Sequence, residues 1–207
     1  MYFDQLYTLN YDLFLYWLFL KANKFNTNSF KDGMIYEVAD EKSKLKLQKW
    51  SIKHPSFNVH FLHGGVHLFS DKEGNVFKVK KDDSKPFQNL TEIISIAQNK
   101  LAHYSNLMVL EGDSDDKLAQ INSNHYLKKC LSKFSTNEGV LVIYGCSILD
   151  HNKNINNDKH IWRCVINGNY QHIYVGLHVS ENELTQKSKE YKDLSLIHIS
   201  EPTRHRR

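Results

Sequence analysis

The stretch FDQLYTLNYDLFLYWLFLKA, Phe3 to Ala22, decides how the rest of the chain reads. Phe3 to Leu9 mixes aromatic, leucine and threonine side chains, which predicts a short buried strand. Asn10, Tyr11 and Asp12 interrupt it with turn-forming groups. Asp12 is a good N-cap, and the apolar run after it predicts a helix over Leu13–Ala22. A strand, a polar turn and a helix make the first half of a βαβ unit. The turn then lies at the carboxyl end of the strand, where open α/β sheets bind ligands.

Working outward, Lys24 to Ser51 is polar and weakly patterned, with Asp32-Gly33 as a turn signal. Residues 24–51 therefore read as an insertion carrying short helical or hairpin pieces. Phe57 to Leu62 alternates apolar and polar residues, reads as a strand, and ends at His63-Gly64-Gly65. Val66–Phe69 and Val76–Val79 flank a turn containing Asp71, Gly74 and Asn75, which is a hairpin signature. Leu90–Leu101 predicts an amphipathic helix and Leu107–Leu110 an apolar strand. The acidic cap Asp113 to Asp116 opens a helix from about Lys117 to Phe134. Val140–Tyr144 predicts a buried strand ending in Gly145-Cys146-Ser147, followed by a helix from Asp158 through Val165. His172–Leu177 is the last strand and Glu181–Tyr191 the last helix. Strands alternating with helices predict the α/β class: a Rossmann-like, mostly parallel sheet with helices on both faces, plus one β-hairpin.

Of the 207 residues, 41% are hydrophobic and 24% charged, the composition of a folded globular chain. The longest apolar run, Leu13 to Leu20, falls well short of the roughly 20 residues that cross a bilayer, so no membrane partner is expected. The N-terminus shows no basic segment followed by a cleavage site, and the three cysteines are too dispersed for a disulfide framework. A cytoplasmic location follows. The net charge is +4, but Arg204, Arg206 and Arg207 against Glu201 supply half of it. The remaining body is nearly balanced, with no basic stripe to track a phosphate backbone, so nucleic acid is not an expected partner.

The tail itself reads as foreign. Leu194 to Arg204, LSLIHISEPTR, resembles the in-frame translation of a transposase sequencing adapter. Residues 1–193 are thus taken as one α/β domain and residues 194–207 as a non-native tail, which makes the chain a fragment cut near Asp193.

Three predicted strand ends carry small or polar residues: Thr8 to Asp12, Leu62 to Gly65, and Tyr144 to Ser147. As parallel neighbours they would line one edge of a sheet. Glycines there let backbone approach a ligand, and N–H groups at helix starts favour anions such as a pyrophosphate. Asn10 and Asp12 suit an amide or ribose hydroxyls, and His63 suits a general base near neutral pH. Each has a plainer reading: Asp12 as a helix cap, Asn10 as a turn residue, His63 as a sheet-end histidine. His63 and His67 are four apart, but Gly64-Gly65 argues against a helical metal pair and no acidic third ligand is evident, so no metal is expected. Cys146 and Ser147 lack the Gly-x-Ser-x-Gly elbow of a serine nucleophile. Phe14, Tyr16, Trp17 and Phe19 read as core.

Taken in order, Thr8-Leu9-Asn10-Tyr11-Asp12, then Leu62-His63-Gly64, then Gly145-Cys146-Ser147-Ile148 resemble the Thr-x-Asn-x-Asp, His-Gly and Gly-Thr-Ser-Leu landmarks of sirtuin-like NAD-consuming domains. More closely, the chain is similar to a bacterial branch of that superfamily, domain of unknown function 4917, through Thr8–Trp17, His63–Phe69, Glu111–Leu127 and Gly145–Ile161. The resemblance implies a Rossmann-like fold that binds NAD, as substrate, across the carboxyl ends of its strands. It implies that Thr8, Asn10 and Asp12 contact the nicotinamide and its ribose, and that His63, beside Gly64, is the general base. Gly145, Cys146 and Ser147 would approach the phosphates or adenosine. The implied activity is NAD glycohydrolysis in defence against phage, with a non-catalytic nucleotide-sensing or interaction module as the alternative. Two departures stand out. Three dispersed cysteines exclude the four-thiolate zinc module of sirtuin deacylases, and the Gly-rich first βα unit is missing before Thr8. The fragment is accordingly expected to be inactive. The sequence leaves open whether the protein forms a homo-oligomer.

Overall fold

The computed structural model describes residues 4–25, 30–39, 46–53, 57–79, 92, 95, 103–110, 112–145 and 158–176. The chain divides into two compact units, Met1–Glu111 with Lys117–Leu131, and Gly112–Asp116 with Ser132–Arg207.

The first unit contains β1 (Leu6–Thr8), α1 (Phe14–Phe25), β2 (Met34–Ala39), β3 (Lys46–Trp50), β4 (Val59–Phe61), β5 (Gly64–Ser70), β6 (Val76–Val79) and β7 (Ser105–Met108). Five of these strands form one sheet in the order β2-β3-β6-β5-β7. Every pairing in it is antiparallel. β1 and β4 form a separate two-stranded parallel sheet. Helices α2 (Ser114–Ser123) and α3 (His125–Ser135) follow β7 and run across the sequence boundaries of the two units. The second unit pairs β8 (Glu138–Tyr144) with β9 (Asn169–Gly176) in parallel, with α4 (Lys159–Ile166) between them in sequence.

The expected Rossmann-like, mostly parallel sheet with helices on both faces is therefore not what the chain forms. The reason is the connections. Parallel neighbours need a long crossover, whereas strands joined by short turns run antiparallel. The β5–β6 link is such a turn: the Asp71 carboxylate accepts the N–H groups of Glu73 (2.9 Å) and Asn75 (2.9 Å), and Gly74 takes φ +80°. That hairpin was legible in the sequence. Residues 24–51, expected as an insertion with short helical or hairpin pieces, instead supply β2 and β3, which pair antiparallel and belong to the five-stranded sheet. Among the described residues, only the β1–β4 and β8–β9 pairs keep the parallel arrangement.

Sheet and core are built around β6, where Val76, Phe77 and Lys78 are all buried. Phe77 packs with Leu47 of β3 and Phe69 of β5, and Val79 and Tyr104 lean on that cluster. The Asp113 side chain caps α2 through the N–H groups of Asp115 (2.8 Å) and Asp116 (2.9 Å). The single helix expected over 117–134 is two, because Asn124 Oδ1 accepts the N–H groups of Tyr126 (2.9 Å) and Leu127 (3.3 Å) and starts α3 afresh. On α1, Tyr16 is buried as expected of core, but Phe14 is 67% exposed and Trp17 44% exposed, contrary to the core reading. The Phe19 side chain, most of the predicted helix 90–101, and residues 177–207 with the predicted last helix and tail lie outside the described residues. No helix among the described residues is long and apolar enough to cross a membrane.

One glycine governs the passage between sheets. The chain leaves β4 at Phe61 and enters β5 at Gly64, which takes φ +75°; a Cβ there would stand 2.0 Å from the Leu107 carbonyl oxygen. Gly74 has a similar φ, +80°, with nothing within 4 Å of its Cβ position. Gly64→Ala should thus cost about 2–4 kcal/mol, backbone strain plus overpacking, while Gly74→Ala costs about 1 kcal/mol. Urea unfolding of the two variants checks the difference.

Candidate functional site

The register of β1 on β4 matches Leu6 with Val59, Tyr7 with His60 and Thr8 with Phe61. One residue further on, the Leu62 N–H donates to the Thr8 carbonyl at 2.9 Å. The two strands therefore release their chains side by side, in the same direction. A second tie follows, with the Val66 N–H donating to the Tyr11 carbonyl at 3.0 Å. Between these ties the Tyr11 ring stacks on the His63 imidazole, centroids 6.3 Å apart and planes 26° off parallel. Both residues are pinned to Val109: the Tyr11 hydroxyl donates to its carbonyl at 2.5 Å, and its N–H donates to the His63 carbonyl at 2.9 Å.

The turn before α1 is organised by its own side chains. Thr8 Oγ1 accepts the Asn10 N–H at 3.0 Å, and Asp12 Oδ1 accepts the Phe14 N–H at 2.7 Å. Asp12 is thus the helix cap its plainer reading anticipated, and both Asn10 and Asp12 are exposed. His63 is only 2% exposed. Of the predicted site residues, Thr8, Asn10, Asp12, His63 and Gly64 all belong to these adjoining turns. Gly145 follows β8 in the second unit, exposed and at φ +68°. Cys146 and Ser147 lie outside the described residues.

Sequence reasoning missed a buried polar cluster in the first unit. Lys78 of β6 and Asp32, just before β2, form a buried ion pair. The Lys78 ammonium also sits 5.1 Å from the centre of the Tyr16 ring on α1. His67 of β5 stacks on the same Tyr16 ring, centroids 4.7 Å apart, and meets the Phe61 ring edge-on with centroids 4.6 Å apart. Neither ring nitrogen of His67 has a hydrogen-bond partner. The one sequence signal was a lysine in the middle of the otherwise apolar strand Val76–Val79.

The charges of this cluster follow from burial and proximity. Burial, then the nearby Lys78 ammonium, pushes the His67 imidazole down to about 3. Burial also works against the charge on Lys78, but Asp32 and then Tyr16 outweigh it and raise its pKa. Burial raises the Tyr16 phenol; Lys78 opposes that rise and Asp32 reinforces it. At neutral pH the lysine is charged while the phenol and imidazole are neutral. Through Tyr16 the cluster holds the start of α1, and with it the Thr8–Asp12 turn, on the antiparallel sheet. Elsewhere in the first unit a groove of about 400 Å³ runs along the Asp71–Gly74 turn past Met108, Asn124 and His125, and no strand-end site residue lines it.

A lowered native pKa means that the unfolded chain, near 6.5, binds a proton the native state refuses. The stability contributed by neutral His67 is complete above about pH 6.5 and shrinks as the pH falls toward 3. His67→Phe should flatten that acid slope in melting temperatures recorded between pH 7 and pH 4. Lys78→Met, which strands Asp32, should cost about 3–5 kcal/mol, and Asp32→Leu in the same chain should recover much of the loss.

No curated protein and no solved structure matches the chain. Residues 1–199 match the model of the family described as Domain of unknown function (DUF4917), and the chain belongs to that family.

Proposed function

We propose that the adjoining turns after β1 and β4 form the substrate site of an NAD glycohydrolase. The observation that carries this reading is the adjacency itself: the Leu62 to Thr8 hydrogen bond sets the His63 turn beside the turn that starts α1. The resemblance to sirtuin-like domains supplies the substrate. The donor set suits it, since exposed Asn10 and Asp12 offer an amide and a carboxylate next to a helix N-terminus, where N–H groups favour anions.

In this reading Asn10 holds the nicotinamide carboxamide and Asp12 the ribose hydroxyls. The bond between the ribose anomeric carbon and the nicotinamide nitrogen breaks, nicotinamide leaves as a neutral molecule, and a water oxygen bonds to the anomeric carbon. His63 takes the proton that water gives up. Tyr11, stacked on the imidazole and tied to Val109, keeps the ring from turning. Net consumption of NAD would serve defence against phage. The near-complete burial of His63 favours a second reading, a nucleotide-sensing module that binds without turnover.

The protein is incubated with NAD and free nicotinamide is measured. The expected result is steady release that falls by about 10²–10⁴-fold in His63→Ala, with NAD binding retained. Saturable binding without release supports the sensing module. Neither binding nor release overturns both readings, and unchanged release in His63→Ala removes the imidazole from the mechanism.

A further inference from the structure

The groove along the β5–β6 turn has two chemically different ends, and neither takes part in the proposed reaction. All of its lining residues belong to the first unit, and its space of about 400 Å³ falls within the range of small-molecule sites. One end is the turn itself. There Asn75 Nδ2 donates to Asp71 Oδ2 at 2.8 Å and to Glu73 Oε2 at 3.2 Å, so one neutral amide gathers two carboxylates. Among the described residues neither carboxylate has an ion-pair partner. Like charges drawn to one nitrogen repel each other, and a cation beside them relieves that repulsion. Lys72 also lines the groove, but it is exposed, where water and salt screen its charge.

The other end is the start of α3. Asn124 lines the groove and is only 7% exposed. Its Oδ1 is committed to the Tyr126 and Leu127 N–H groups. Its Nδ2 donates to nothing among the described residues, yet that nitrogen is not sealed from solvent. A buried side chain on a groove wall whose one free atom reaches solvent turns that atom into the groove. Two amide hydrogens thus wait beside the positive end of the α3 dipole, where an anionic group is favoured. Leu107 and Met108 of β7 give the groove an apolar stretch. Gln120 Oε1 accepts the Leu110 N–H at 2.8 Å, which pins α2 to the chain leaving β7 and fixes that wall. We propose that this groove binds a zwitterionic small molecule, an aliphatic amino acid. Its ammonium sits at Asp71 and Glu73, and its carboxylate accepts hydrogen bonds from Asn124 Nδ2. A lone anion would meet the two carboxylates uncompensated, and a lone cation would leave the Asn124 amide unused.

The test adds unbranched ω-amino acids of increasing length, from glycine through aminobutyrate to aminohexanoate, to the full chain. Binding is followed by NMR, on the ligand signals and on the side-chain amide signals of Asn124. The expected result is saturable binding by at least one length, with the Asn124 amide signals shifting as the groove fills. Hexanoate and hexylamine, each with one charge missing, should bind at least about 10-fold more weakly than the matching amino acid. Asn124→Asp keeps a capping oxygen and puts a carboxylate where the amide was. It should hold its melting temperature while binding falls more than about 10-fold. Glu73→Gln should weaken binding by about 10-fold. Should Asn124→Asp melt early, Glu73→Gln, on an exposed turn, carries the test. Absence of binding by every length, or equal binding by a folded Asn124→Asp, overturns the site. Equal binding of hexanoate overturns the ammonium end, and equal binding of hexylamine overturns the carboxylate end.

Discussion

The first unit depends on a change of sheet made within three residues. β4 pairs in parallel with β1, β5 pairs antiparallel with β6 and β7, and only Leu62 and His63 separate them. The passage is possible because Gly64 has no Cβ to meet the Leu107 backbone and adopts a left-handed conformation without penalty. It also fixes His63. A residue just ahead of such a crossing cannot slide along either strand, since the Val109 N–H holds its carbonyl and the Tyr11 ring lies against its imidazole. The candidate site thus owes its geometry to a steric requirement one residue away.

Local chemistry was legible in the sequence and non-local pairing was not. The DKEGN turn between β5 and β6 declares itself, because Asp71 satisfies the backbone groups two and four residues on. The strand–turn–helix from Leu6 to Phe25 is equally local, with Asp12 at its cap. Sheet assignment failed because alternation of strands and helices says nothing about partners as far apart as Leu47 and Val79 or Gly64 and Met108, and β6 sits between β3 and β5 rather than beside a parallel neighbour. The α2–α3 break was available in principle: Asn124 is a strong cap residue, but the apolar side of the helix continues past it and hid the interruption.

The candidate site was legible in part for the same reason. Thr8 to Asp12 and Leu62 to Gly64 were each read as a strand end, and a short-range backbone bond brings them together. Burial was not legible. Nothing in Leu62-His63-Gly64 indicates that the imidazole is covered, or that His67, four residues on, is a neutral ring deep in the unit.

The buried pair of Lys78 and Asp32 has a consequence for how such a chain can change over generations. Either residue replaced alone leaves its counterpart as an orphan ion in a dry interior, so drift at one position is blocked while the other stands. Two apolar residues in their place would serve the interior as well or better, but the route there runs through a crippled intermediate. The pair is a trap of history as much as a brace, and it binds the fates of an extended strand and a distant loop that share no backbone contact in their pairing registers.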